Sequence, residues 1–121
     1  MISNQDAKRF AAEWIAAWNS HDVEKILAHY EDDLEYYSPM IPRVTGQTSA
    51  CLCGKPAVRA YVTEALRRSP GLEFTLLHAF SGVTSVTLHY LNMNGRRAAE
   101  VFELSEEGKA HRVLCHYEHS G

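Results

Sequence analysis

Residues 91–117 read LNMNGRRAAEVFELSEEGKAHRVLCHY, and the two turns in this stretch predict a three-stranded antiparallel meander. Asn94-Gly95 and Glu107-Gly108 each interrupt an alternating segment, and Asn-Gly in that setting is the strongest short-range signal for a hairpin. A two-residue turn also determines which strand residues lie opposite each other. Both pairings can therefore be predicted by counting outward from the turns.

Counting from Asn94-Gly95 places His89 opposite Glu100. Counting from Glu107-Gly108 places Glu100 opposite Cys115 and Glu103 opposite Arg112. An opposite-charge pair of this kind is expected on the solvent side of a sheet.

One face of this meander is predicted to be apolar except for a single carboxylate, Glu100. A lone acid on such a face, with His89 beside it, is a candidate active site. The apolar members of the face are Leu91, Ala98, Phe102, Leu104, Val113, Cys115 and Tyr117.

The size and composition of the chain predict one domain over residues 1–121, large enough to bury a core without disulfides. The net charge of −3 argues against a nucleic-acid partner, because phosphate neutralisation needs clustered Lys and Arg. No apolar run approaches the ~18 residues of a membrane span, and residues 1–6 do not resemble a signal peptide. The three cysteines, an odd number, fit a reducing compartment, so we expect a cytoplasmic protein without a membrane partner.

Three helices are predicted in the first half of the chain. Ser3 and Asp6 resemble a capping box, and the apolar spacing after them predicts a helix to about residue 19. Asp22 is a good cap for a second helix. Gly54-Lys55-Pro56 opens a third, which Pro70-Gly71 ends.

The remaining segments predict strands and one long loop. Leu34–Tyr37 alternates as a short strand, and residues 40–53 show no period and are interpreted as a loop. Strands are expected at about 72–80, 84–93, 96–104 and 110–119. Helices followed by an antiparallel meander are typical of an α+β domain.

Motifs along nearly the whole chain resemble the nuclear-transport-factor-2-like (NTF2-like) superfamily, in particular its SnoaL-like and ketosteroid-isomerase-like branches. They are WIAAWNSHD at 14–22, YEDD at 30–33, Ser38-Pro39, GKPAVRAY at 54–61, Gly95-Arg96, Glu100-Val101-Phe102 and Gly108-Lys109. The resemblance implies a cone-shaped fold, in which three N-terminal helices pack against a strongly curved, mostly antiparallel sheet that encloses a pocket. It says little about the reaction, because this superfamily includes isomerases, cyclases, dehydratases, epoxide hydrolases and non-catalytic domains.

The resemblance also carries functional positions onto this chain. The proton-abstracting Asp of the steroid isomerase branch precedes the Pro that corresponds to Pro39, where this chain has Ser38. The hydrogen-bonding Tyr of that branch corresponds to Trp14. Its second acid, which is kept neutral so that it donates a hydrogen bond, aligns with Glu100. The resemblance therefore implies acid–base chemistry at Glu100, as in the single-acid polyketide cyclase branch, rather than steroid isomerisation.

Two candidate catalytic residues follow, and each has a structural alternative. Loss of hydration would raise the pKa of Glu100 toward neutrality, as general acid–base catalysis requires; alternatively, Glu100 is a buried acid satisfied by its neighbours. His89 would hold or share the proton of that acid; alternatively, it forms an ordinary cross-strand pair.

Aromatic and small polar side chains are predicted to line the substrate pocket, although aromatics at such spacing are often simply core. The candidates are Trp14, Trp18, Tyr30, Tyr36, Ser38, Phe102, Cys115 and Tyr117.

No metal or organic cofactor is required by the motifs. His111, Cys115 and His119 share strand parity, but they span too much of one strand for a zinc site. Cys51 and Cys53 precede a helix, where incidental reactivity is a simpler interpretation than catalysis.

We therefore expect a small, largely apolar organic molecule to bind beside Glu100, with isomerase, cyclase or lyase activity. The alternative is a non-catalytic ligand-binding or dimerisation domain. The outer sheet face is predicted to form a homodimer, as members of the superfamily often do, through Val86, Leu88, Tyr90, Val101 and Leu114.

Overall fold

The computed structural model describes residues 1–119, so the domain predicted over residues 1–121 ends two residues beyond the described range. The chain forms helices packed on one open, curved, six-stranded sheet, which confirms the predicted α+β class. None of the helices in the described range is long and apolar enough to cross a membrane.

The helices begin where the sequence predicts. Helix α1 spans Asn4–Ser20, and the Asp6 backbone N–H donates to the Ser3 hydroxyl at 3.0 Å. Helix α2 spans Val23–Leu27, with the Asp22 carboxylate as its cap. A longer helix follows at Lys55–Arg68, with a Pro in its first turn. Its buried residues, Val58, Tyr61, Val62 and Leu66, recur at helical spacing.

The loop predicted at residues 40–53 is wrong in part, because it contains a five-residue helix and a short strand. Helix α3 spans Ile41–Thr45 and ends at Gly46, whose φ is 78°. The strand spans Cys51–Cys53. Both elements are too short to show a period in the sequence. Helix α3 brings the helix count within residues 1–119 to four rather than three, with Lys55–Arg68 as α4.

The strands are β1 (Tyr30–Tyr37), β2 (Cys51–Cys53), β3 (Thr75–Ser81), β4 (Ser85–Leu91), β5 (Arg97–Leu104) and β6 (Ala110–Tyr117). Their order in the sheet is β2-β1-β6-β5-β4-β3, and among the strand pairs of residues 1–119 only β1–β6 is parallel. Register shifts interrupt three of the five pairings, and such bulges bend and twist a sheet. The concave face therefore surrounds α1, whose rings fill the core.

Candidate active site around Glu100

The turn between β4 and β5 contains three residues rather than two. The Asn92 N–H donates to the Arg96 carbonyl at 2.8 Å, and the Gly95 N–H donates to the Asn92 carbonyl at 3.0 Å. Gly95 has a φ of 75°, whereas Asn94 does not have a positive φ, so this is not a type I′ turn, one of the two types favoured in two-residue hairpin loops. The predicted register of β4 against β5 is therefore wrong by one residue.

The corrected register removes His89 from the neighbourhood of Glu100. Leu88 lies opposite Glu100, and His89 lies opposite Ala99 on the outer face of the sheet. There the His89 ring stacks on the His78 ring, with their centroids 5.7 Å apart. A slip of one residue moves every side chain of a strand to the other face, so His89 turns outward, whereas Leu88 and Tyr90, opposite Glu100 and Ala98, turn inward.

The predicted pairing of β5 with β6 is confirmed in the strands, although the turn differs here too. Glu100 lies opposite Cys115 and Glu103 lies opposite Arg112. The Gly108 N–H donates to the Ser105 carbonyl at 2.9 Å, which again indicates a three-residue loop. A bulge after Glu103 restores the predicted register.

Glu100 is the buried acid at the centre of the concave face. Only 1% of the residue is exposed to solvent. The Tyr90 hydroxyl donates a hydrogen bond of 2.8 Å to Oε1, whereas Oε2 has no hydrogen-bond partner among residues 1–119. One oxygen of the carboxyl is therefore held in place, and the other retains its hydrogen-bonding capacity.

Burial raises the pKa of Glu100 to about 7, because a carboxylate loses hydration in this environment. The hydrogen bond from Tyr90 and the nearby Cys115 thiol pull the pKa in the opposite direction but do not offset the burial. Both protonation states are therefore populated near neutral pH, which suits a group that both donates and accepts protons.

Tyrosines surround the acid and remain protonated. Burial raises the pKa of Tyr30, Tyr36, Tyr90 and Tyr117 well above the ordinary value, and negative charge on Glu100 raises each of them further. A phenol that stays neutral is a hydrogen-bond donor to a carboxylate or to an oxygen of a ligand. The site therefore contains one titrating acid among neutral donors.

Ser38, at the end of β1, connects this cluster to the surface. Its Oγ lies 3.4 Å from the Tyr117 hydroxyl and accepts a hydrogen bond of 3.1 Å from the Met40 N–H. A surface depression of about 450 Å³ begins here, and its lining residues are Tyr37, Ser38, Pro39, Ala50, Cys51, Leu114, Cys115 and His116. Ser38 and Cys115 thus belong both to this depression and to the surroundings of the acid.

The predicted lining residues are brought together, but as packed core rather than as the walls of an open pocket. Trp14, Trp18, Tyr30, Tyr36 and Phe102 are buried, and Trp14 packs on Tyr90 and Phe102 with ring centroids 5.3 and 5.2 Å apart. The Trp14 indole N–H donates to the Tyr30 hydroxyl at 3.1 Å. The Trp18 indole N–H is buried without a hydrogen-bond partner in the described part of the chain.

Glu100 lines neither the Ser38 depression nor a second depression elsewhere on the surface. The second, of about 650 Å³, lies between the start of α1 and the turns near Thr84 and Glu107. The enclosed pocket beside the acid thus stays a prediction. Cys115 lies opposite Glu100 and also lines the Ser38 depression.

Sequence reasoning missed Tyr90, which it assigned to the outer face together with Val86 and Leu88. All three are buried in the core, so they are not available for the predicted dimer contact. The pattern of β4 contained the signal, because Val86, Leu88 and Tyr90 alternate with the more polar Thr87 and His89. Weighing that alternation above the turn would have given the correct register.

Metal-ligating side chains do not cluster: no group of three or more His, Cys, Asp or Glu residues within residues 1–119 could hold an ion. On β6, His111 is exposed and Cys115 is buried, so they do not share a face.

Comparison with known proteins assigns the fold and the family. The SnoaL-like domain profile matches residues 11–114. A SnoaL-like protein from Burkholderia thailandensis E264 has 43% sequence identity and a TM-score of 0.91, with 98% of each chain covered. No match was found among curated protein sequences.

Two more distant structures share the fold. SalBIII, an epoxide hydrolase/cyclase-like enzyme of pyran ring formation in salinomycin, has 21% identity and a TM-score of 0.72, covering 98% of this chain and 95% of its own. TerC, co-crystallized with polyporic acid, has 13% identity and a TM-score of 0.76, covering 93% and 92%. With the profile match over most of its length, this chain belongs to the SnoaL-like family of the NTF2-like superfamily.

Proposed function

We propose that this protein binds a small, largely apolar organic molecule beside Glu100 and that Glu100 transfers protons to and from it. The observation that carries the proposal is a buried carboxyl with one oxygen held by Tyr90, the other without a partner, and a pKa of about 7. Isomerisation, cyclisation and dehydration all require a proton to be added at one atom and removed at another. A group that populates both states near neutral pH serves both steps.

Each part of the carboxyl has a role in this chemistry. Oε2 is the atom that would give or take the proton, since Oε1 is occupied by the Tyr90 hydroxyl. When Glu100 ionises, that hydrogen bond stabilises the carboxylate, and when it is protonated, Oε2 is the available donor. Neutral phenols nearby, such as Tyr30 and Tyr36, would stabilise charge that develops on a ligand oxygen.

Access is proposed through the Ser38 depression. Ser38 and Cys115 line it, and Tyr117 is only half-buried, so a displacement of the Tyr117 ring would open a path toward the acid. Ser38 is not assigned a role as a nucleophile, because its hydroxyl has no adjacent His or carboxylate hydrogen-bond partner within the described residues to act as its base. Glu100 therefore supplies the acid–base chemistry alone.

The neighbours support a reaction of this kind without specifying it. SalBIII is an epoxide hydrolase/cyclase-like enzyme, and TerC was co-crystallized with polyporic acid. We carry over only the class of ligand, a small organic molecule, because both neighbours are under 25% identical to this chain.

One observation favours the second candidate, a non-catalytic binding or dimerisation domain. Glu100 and Trp14 are each 1% exposed, so the acid is closed off by packed rings in this conformation. In that case Tyr90 and Glu100 form a structural pair, and ligands bind only at the surface.

Proton exchange in heavy water distinguishes the two candidates. β-Tetralone is a suitable probe because it is a flat, largely apolar ketone with exchangeable protons next to its carbonyl. We expect the wild-type protein to accelerate deuterium incorporation measured by NMR, and the Glu100→Gln protein to lose the acceleration. The matched control is Glu103→Gln, which removes an acid of the same strand that pairs with Arg112 on the outer face.

Binding of the ketone without exchange would favour the non-catalytic candidate. Equal exchange in the Glu100→Gln protein would overturn the role of Glu100. Neither binding nor exchange, for this ketone and for polyporic acid, would contradict the proposed ligand class.

We further propose that the outer sheet face forms a homodimer, although on fewer residues than the sequence indicated. Val101 and Leu114 lie on that face and are half-buried. Phe80, a residue of β3, is 55% exposed. A cytoplasmic location is proposed because Cys51, Cys53 and Cys115 are all free thiols.

A further inference from the structure

The edge strand β2 presents two thiols on one face. Side chains alternate along a strand, and the central residue, Leu52, is buried opposite Tyr36. Cys51 and Cys53 therefore both point to the outer face, where Cys51 is half-buried and Cys53 is exposed. Because β2 is the end of the sheet and pairs only with β1, no further strand covers these thiols.

The neighbours of the thiols are polar and come from β1. Tyr37 lies opposite Cys51, and Glu35 lies opposite Cys53. The Tyr37 hydroxyl donates to Glu35 at 3.2 Å, and the Arg112 guanidinium lies 5.4 Å from the centre of the Tyr37 ring. The carboxylate of Glu35 is thus already engaged.

The two thiols are close enough to affect each other. Burial raises the pKa of Cys51, the Tyr37 hydroxyl lowers it, and hydrogen bonding to Cys53 raises it again. Two soft nucleophiles therefore share one accessible patch, which is an arrangement that a lone cysteine does not provide.

The spacing favours a bridging atom over a disulfide. Residues two apart on a strand have Cα atoms about 6.6 Å apart. That distance lies near the upper end of the ~4.4–6.8 Å that disulfides span, so a direct S–S bond would be strained. An atom inserted between the two sulfurs tolerates a wider separation.

We propose that Cys51 and Cys53 form a chelating site for a thiophilic centre that takes two sulfur ligands, such as trivalent arsenic. Zinc would require further ligands, and within residues 1–119 no third His, Cys, Asp or Glu joins the pair to form a metal-binding group. A trivalent organoarsenical needs only two thiolates, because its remaining bond is to carbon. This site is separate from Glu100 and does not rest on the proposed function.

The binding step is balanced without any oxidant or reductant. Phenylarsine oxide contains an As=O group; both S–H bonds break, two As–S bonds form, and the oxygen leaves with the two thiol protons as water. Arsenic remains trivalent throughout. Cys51 also lines the Ser38 depression, so the phenyl group has an apolar surface beside it at Leu114 and Pro39.

Intact mass spectrometry of the folded protein with phenylarsine oxide tests the site. We expect one adduct per chain, with the mass of one phenylarsenic group less two hydrogens, that resists excess β-mercaptoethanol and is released by a dithiol. Cys51→Ser and Cys53→Ser should each lose the monothiol-resistant adduct. Cys115→Ser, which removes the buried third thiol, should retain it.

Differential alkylation of the wild-type protein tests the same site without any substitution. Peptide mapping should show that the arsenical protects Cys51 and Cys53 together from iodoacetamide. Protection of only one thiol, release by monothiol, or a stable adduct in the Cys51→Ser protein would overturn the proposal.

Discussion

Replacing Glu100 with Gln should remove a pH dependence of stability that the buried carboxyl imposes on the wild-type protein. Burial raises the pKa of Glu100 from its ordinary 4.5 to about 7. At pH values between these two pKa values, Glu100 keeps its proton in the folded protein, whereas the unfolded chain has released it. Since the folded state binds more protons, the free energy of unfolding falls as the pH rises, and the fall levels off above the folded pKa.

The size of the effect follows from the two pKa values. Each pKa unit corresponds to about 1.4 kcal/mol, so full ionisation of Glu100 costs the folded state about 3 kcal/mol. About 2.5 kcal/mol of this develops between about pH 5 and about pH 8. That is a large fraction of the ~5–15 kcal/mol by which a native domain is stable.

Urea denaturation at about pH 5 and about pH 8 measures this loss of stability, with wild type, Glu100→Gln and Glu103→Gln compared side by side. Gln is nearly isosteric with Glu and still accepts the hydrogen bond from Tyr90, so the variant should fold. The 7 histidines of the chain are the same in all three proteins, so the informative quantity is the difference between the proteins. We expect wild type and Glu103→Gln to lose about 2–3 kcal/mol relative to Glu100→Gln on going to the higher pH.

A constant difference between wild type and Glu100→Gln, within about 0.5 kcal/mol at the two pH values, would refute the reasoning. It would mean that Glu100 titrates at its ordinary pKa, and the argument for acid–base catalysis would lose its basis.

Three further predictions concern neighbouring features. Tyr90→Phe removes the hydrogen-bond donor to Oε1 of Glu100, so the pKa of Glu100 should rise above about 7 in an NMR titration. The free energy of unfolding at alkaline pH, measured by urea denaturation, should fall by about 1–2 kcal/mol. An unchanged pKa would contradict the contact. Gly95→Ala should lower the free energy of unfolding by roughly 1 kcal/mol, and Gly95→Asn should lower it less. The reason is backbone strain, because Gly95 has a φ of 75° and open space surrounds the position of a Cβ atom. Equal thermal unfolding of the two variants would be inconsistent with this prediction. Val101→Asp should convert the proposed homodimer to monomer in light scattering, and a wild-type monomer at micromolar concentration would remove the proposal.

Local features of this protein were predictable because they depend on residues close together in the chain. The Ser3 cap of α1 and the buried face of α4 arise from hydrogen bonds and spacings within a few residues. The β5–β6 register was predicted correctly although the turn was not two residues long, because a bulge after Glu103 offsets the extra turn residue. The family resemblance also followed from the sequence and is confirmed by the profile match, and the inward position predicted for Glu100 is confirmed by its burial.

The partner of that acid was decided by the tertiary structure. Asn94-Gly95 is compatible with a two-residue turn and with a three-residue loop, since both use a glycine with positive φ. The local energies of these turns differ little. The turn length nevertheless decides whether Val86, Leu88 and Tyr90 face the core, as with the three-residue loop, or the outer face, as with the two-residue turn. Burial of three large side chains, at about 1.5–3 kcal/mol each, outweighs the preference of the turn and brings Tyr90 rather than His89 to the interior.

The pairing of distant segments was likewise beyond the sequence. β1 lies parallel to β6, and β2 joins the outer edge of β1, although neither contact follows from a short turn. Those pairings bring Ser38 to Tyr117 and place Cys51, which is half-buried, and Cys53, which is exposed, on one face. By itself, the sequence determined the longer helices and strands and the buried acid, because propensity, capping and periodicity act over a few residues. Only packing of the whole chain decided what surrounds that acid, because burial depends on segments far apart in sequence.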